Sequence, residues 1–104
     1  MVNQSTAVEL VRHYVQLCNG RNIYFNKVIL FGSVVAGTAR PESDIDVLLV
    51  SDQFTHDSIH NWRMLAPVTA QLYDIEPHPY PTDAYLRRDP FVDEVDRTGI
   101  EISA

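Results

Sequence analysis

An α/β domain is predicted for this 104-residue chain by its length, by an amphipathic helical stretch near the start, and by two short β-branched runs bounded by turn-forming residues. A chain this short can bury one core but not two, so residues 1–104 are read as a single domain on which every functional part must sit. Its apolar share of 45% is that of a folded globular protein. No stretch approaches the roughly 20 consecutive apolar residues of a membrane span. Met1-Val2-Asn3-Gln4-Ser5 lacks the basic-then-apolar pattern of a secretory leader, and the lone Cys18 cannot form an internal disulfide, so the expected location is cytoplasmic.

The first element expected is a helix. Thr6-Ala7-Val8-Glu9 has capping-box spacing, and Val8, Val11, Tyr14, Val15 and Cys18 recur at helical intervals until Gly20. Lys27-Val28-Ile29-Leu30-Phe31 then reads as a buried strand that ends at Gly32. Ser33 to Ser43, with Gly37, Thr38 and Pro41, leaves room for a helical turn and a loop before Ile45-Asp46-Val47-Leu48-Leu49-Val50 resumes a strand, antiparallel to the first. Thr55 to about Leu65 is consistent with a second helix, which Pro67 should end or kink. Gln71 to Glu76 alternates as a third strand, with Leu72, Asp74 and Glu76 on one face, and prolines at 77, 79 and 81 are expected to end it. Thr82 is positioned to cap a short helix through Arg88. Asp89-Pro90 reads as an N-cap with proline at the first helical position, opening a helix up to Gly99, and Ile100-Glu101-Ile102 offers a last strand.

Charge narrows the function. A formal net charge of -6, with eight scattered Lys and Arg and no basic patch beyond Arg87-Arg88, argues against nucleic acid as a direct ligand. An acidic protein still binds a nucleotide if a divalent cation lies between its carboxylates and the phosphates. Asp44 and Asp46 are one residue apart at the start of a strand, so both point to the same side and can share one or two hard cations. Such a like-charged pair calls for a partner, and Mg²⁺ accepts both while triphosphate oxygens complete its octahedron. Gly32 lets the backbone approach a phosphate, Ser33 can donate to it, and Gly37 turns the chain so that the acids face this cradle. Two metals would require a third carboxylate, for which Asp74 and Glu76 both qualify.

Gly32-Ser33, then Gly37, then Ser43-Asp44-Ile45-Asp46 leading into an apolar strand, resembles the active-site signature of the DNA polymerase β nucleotidyltransferase superfamily, and at this length the minimal nucleotidyltransferases. The signature covers Gly32 to Val50, and the resemblance extends loosely over most of the chain. It implies a mixed sheet flanked by helices and Mg²⁺-dependent transfer of a nucleotidyl group, AMP from ATP, to a hydroxyl. It further implies nucleotide contacts by Gly32, Ser33, Gly37 and Ser43. Asp44 and Asp46 are the implied metal ligands, and alignment of the Pro-rich turn favours Glu76 as the third, with Asp74 two residues earlier. Many members of that family pair with a helical toxin of the HEPN type, a ribonuclease, and act as its antitoxin, in some cases by adding AMP to a tyrosine. The resemblance therefore implies a HEPN partner. The alternative is a non-catalytic antitoxin that neutralises such a partner by complex formation. Where relatives often carry an arginine before the second glycine of the loop, this chain has Ala36, which removes one cationic contact to substrate or partner.

Other candidates have plainer readings. An Asp-x-Asp pair alone is usually solvated, and Ser33 could serve as a helix cap. His13, His56, His60 and His78 lack zinc-site spacing and are read as surface or packing residues. Cys18, Tyr14 and Trp62 are read as core, and Arg40, Arg87 and Arg88 as solvated charge. A domain without a second lobe to clamp the base needs a shallow base site or one completed by another chain, through a helical partner or a homo-oligomer.

Overall fold

The computed structural model describes residues 3–103; the N-terminal reading that involved Met1 and Val2 lies partly outside them. The elements in order are α1 (Gln4–Asn19), β1 (Lys27–Phe31), α2 (Ser33–Ala36), β2 (Ile45–Ser51), α3 (Ser58–Thr69), β3 (Ile75–Pro81), α4 (Thr82–Leu86), α5 (Pro90–Thr98) and β4 (Ile100–Ile102). The strands form a mixed sheet in the order β3-β2-β1-β4. β1 runs antiparallel to both β2 and β4, and β2 runs parallel to β3. This is the α/β architecture expected, a small mixed sheet flanked by helices.

Side-chain alternation divides the core between the two faces of the sheet. Val28, Leu30, Val47, Leu49, Ile75 and Ile102 face α1 and α3, where Val11, Tyr14, Cys18, Leu65 and Val68 pack against them. Ile29, Leu48 and Val50 face the other way, onto Tyr85 of α4 and Val92 and Val95 of α5. β1 and β2 are therefore covered on both faces, and their near-continuous apolar sequences follow from that burial. Across the first face, the Tyr14 hydroxyl and the Thr69 hydroxyl hydrogen-bond at 2.9 Å, tying α1 to the end of α3.

The structure corrects several local expectations. The N-cap of α1 is Asn3, whose Oδ1 accepts the Thr6 N–H at 2.8 Å, so Thr6 lies inside the first turn. α3 starts at Ser58 and not at Thr55, because both backbone groups of Thr55 are held by the buried Asn61 side chain at 2.9 and 2.7 Å. Asp57 caps that helix. Pro67 does not end α3; it sits exposed in the last turn while Leu65 and Val68 anchor the buried side. Thr82 does not cap α4, since Pro81 occupies the N-cap and the Thr82 hydroxyl bonds to Asn26 and Asp52. Trp62 is not core but 63% exposed.

The largest correction concerns β3. Residues 71–74 form a turn, and the strand runs through the prolines at 77, 79 and 81. The Ile45 N–H donates to the Asp74 carbonyl at 2.8 Å, which sets the alternation: residues 76, 78 and 80 aim their backbone groups at β2, and the prolines aim theirs outward. As β3 is an edge strand, the missing proline N–H groups fall on the side with no ladder to lose. They also leave that edge unable to recruit a further strand.

Candidate active site

The site lies at the end of the sheet where β1 finishes and β2 and β3 begin. Register sets its centre: Phe31, Asp46 and Glu76 occupy one row across three neighbouring strands, followed by Ile29, Leu48 and His78 in the next row on that face. Asp46 and Glu76 are thus direct cross-strand neighbours. One donor atom from each of Asp46, Glu76 and His78 can be chosen so that all lie within 4.8 Å of one another. His78 Nε2 is 3.2 Å from Asp46 Oδ1, with these side chains 31% and 25% exposed.

Asp44 precedes β2 and reaches Glu76. The Glu76 carboxyl is held above its ordinary range, first by desolvation, then by hydrogen bonding with Asp44 and by the negative charges of Asp46 and Asp44, against which His78 pulls downward. The three acids are thus close enough to disfavour one another's charged forms, which a cation between them would offset. The donor set of carboxylate oxygens fits a hard divalent cation such as Mg²⁺. Asp74 is placed differently from its expected position on a shared strand face: it lies in the turn before β3, exposed, and uses its carbonyl to start the ladder. The three-residue donor group contains Glu76 and not Asp74.

The Gly-Ser turn closes over the acids. Gly32 has φ 86°, and a Cβ there would fall 2.5 Å from Asp46 Oδ2, so the main chain passes the carboxylate as closely as it does only because no side chain intervenes. The Gly32 carbonyl accepts from Val35 and Ala36, which starts α2 and leaves the N–H groups of Ser33 and Val34 ahead of its first helical bonds. Gly37, at φ 79°, ends α2 in the left-handed region. Ser43 holds the following turn, its Oγ accepting the Arg40 N–H at 2.9 Å. The turn at Gly32 and Ser33, where a phosphate cradle is expected, lies directly beside Asp46.

A family model described as a nucleotidyltransferase domain matches residues 21–97. The chain belongs to this family. The matched span runs from before β1 into α5 and includes every residue of the site. The protein is therefore a nucleotidyltransferase domain, a transferase with a nucleoside triphosphate as substrate. Among curated proteins, none matches the chain.

One residue of the cluster escaped the sequence reading. His78 was placed among surface or packing histidines because it has no histidine partner at metal-site spacing. The signal that finds it is Glu76-x-His78, which puts both side chains on one face only if residues 76–78 are a strand. Reading Pro77 as a strand terminator concealed that relation.

Proposed function

We propose that residues 1–104 act as a minimal nucleotidyltransferase that transfers AMP from ATP to a hydroxyl acceptor, a tyrosine of a HEPN-type partner, with Asp44, Asp46 and Glu76 holding Mg²⁺. The observation that carries this reading is the cross-strand pairing of Asp46 with Glu76 beneath the close backbone approach of Gly32. It sets acids for a cation and a main-chain cradle for phosphates side by side. When bound, Mg²⁺ supplies charge neutralisation for the triphosphate and for the pyrophosphate that leaves. Gly32, Ser33, Gly37 and Ser43 shape the loop that receives the phosphates, the Ser33 hydroxyl and N–H serving as donors. The acceptor hydroxyl forms the new P–O bond at the α-phosphorus as the bond to pyrophosphate breaks, and the chain contributes mainly alignment and a fixed field.

Exposed apolar surface supports a protein acceptor. Trp62 and Tyr73, 63% and 80% exposed, border a groove with Ala66, Thr69 and Ala70 on α3 and the turn after it. A partner with a complementary apolar surface would bury both rings there. The groove also favours the second reading, an antitoxin that acts by occlusion, which the absence of an arginine at Ala36 supports as well. One variant separates the two. Asp46→Asn is expected to fold and to lose AMP transfer from labelled ATP by about 100-fold or more, with loss of partner neutralisation. Neutralisation that survives in a folded, transfer-dead variant assigns the function to occlusion, and undiminished transfer removes Asp46 from the chemistry.

A further inference from the structure

We propose that His78 is a further ligand of the metal held by Asp46 and Glu76, and that its nitrogen lets this position take a transition-series divalent cation as well as Mg²⁺. This rests on the reading of the carboxylates as metal ligands and adds a nitrogen donor that the sequence motif does not contain. His78 follows Glu76 by two residues on β3 and lies on the same sheet face, one row further in. Its Nε2 points at Asp46 Oδ1 across 3.2 Å.

The ring is set in place by aromatic neighbours. Its centroid is 5.1 Å from that of Phe31 and 6.1 Å from that of Phe91, and these two rings meet edge-on at 5.4 Å. Phe31 shares its row with Asp46, so the residue that positions the imidazole belongs to the same ladder as the residue it addresses. Orientation is thus supplied by packing before any ion arrives, as a ligating histidine requires.

The spacing suits a common ion. Donors about 2.1 Å from a centre lie about 3 Å apart when adjacent and about 4.2 Å apart when opposed. The present limit of 4.8 Å therefore closes with small side-chain rotations. Mg²⁺ prefers an all-oxygen shell and keeps several waters, whereas Mn²⁺ and the ions after it accept imidazole beside carboxylates. Where Nε2 carries the ring proton it donates to Asp46 Oδ1; to hold an ion, Nε2 would have to be the unprotonated nitrogen, with the proton on Nδ1.

The test uses Mn²⁺ itself as the probe, on the full chain without nucleotide or partner. Mn²⁺ binding is followed by electron paramagnetic resonance, and electron spin-echo modulation reads nitrogen coupling to the bound ion in protein carrying ¹⁴N- or ¹⁵N-histidine. The expected result is one Mn²⁺ lost in Asp46→Asn, with a coupling that changes with histidine isotope and disappears in His78→Gln. His78→Gln is also expected to weaken Mn²⁺ binding about 10-fold or more while Mg²⁺ binding, read by competition, stays within about threefold. Asp46-dependent Mn²⁺ binding without histidine coupling overturns the proposal and leaves the carboxylate site standing. Mn²⁺ binding that is insensitive to Asp46 overturns both. The isotope experiment is made on the wild-type side chain, so a His78→Gln protein that fails to fold does not remove the decision.

Discussion

Gly32 couples backbone conformation to chemistry at a single position. Its φ of 86° lies where side chains are strained, and a Cβ would also meet the Asp46 carboxylate and its Cβ, at 2.5 and 3.3 Å. Gly32→Ala is therefore expected to cost about 1–3 kcal/mol of stability by thermal melting. Asp46 must move to make room, so metal and nucleotide binding should fall further than the loss of folded protein explains. A stable Gly32→Ala protein with unchanged ATP affinity would show that the close approach has no part in the site. Gly37 also has positive φ, but a Cβ there meets nothing within 4 Å, so only backbone conformation calls for glycine where it closes α2. The two glycines of one loop thus have different physical reasons, although they look alike in the sequence.

At the scale of elements, α4 and α5 are joined by a polar knot beneath the second sheet face. The Tyr85 hydroxyl donates to both oxygens of Asp96 at 2.8 Å, and Arg88 pairs with Asp96 and Asp93. Burial alone would raise the Asp96 pKa, but hydrogen bonds from Arg88 and Tyr85 and the charges of Arg88 and Lys27 hold it below the ordinary carboxylate value. A carboxylate depressed in the folded state contributes stability that is present above its unfolded pKa of about 3.9 and is lost as pH falls toward the folded value. Tyr85→Phe should cost about 1 kcal/mol at neutral pH, and the difference from wild type should shrink below about pH 4. An unchanged melting temperature, or a gap that widens in acid, would contradict this. β1 and the Gly32-Ser33 turn were legible in the sequence because a short run carrying the β-branched Val28 and Ile29, followed by the apolar Leu30 and Phe31 and then glycine, has few other solutions. β3 was not legible, because whether a proline breaks a strand depends on which edge faces solvent, a tertiary fact. That one misreading also displaced Asp74 from its expected strand and hid His78 beside Glu76. The boundaries of α3 were missed for a similar reason, since the Asn61 bonds to Thr55 are invisible to helical periodicity.

Across the whole molecule, the charge distribution favours a small ligand over a long polyanion. Several cations are committed to the chain's own acids, among them Lys27 with Glu101, Arg87 with Asp83, Arg88 with Asp93 and Asp96, and Arg97 with Glu94. With a formal net charge of -6, long-range attraction for a polyanion is weak. On the proposed reading, a triphosphate binds at the end of the sheet, where Asp44, Asp46, Glu76 and the Gly32-Ser33 turn meet. No helix among the described residues is long and apolar enough to cross a membrane. α3, which carries Trp62 of the exposed groove, packs on the opposite sheet face from α4 and α5, so a partner seated on the groove would leave the α4–α5 side of the molecule accessible. The most direct test of the central claim is isothermal titration with Mg-ATP of the wild type and of Asp44→Asn/Asp46→Asn. Magnesium-dependent binding by the wild type that the folded double variant loses is the predicted result, and equal binding by both would place the triphosphate elsewhere and contradict it.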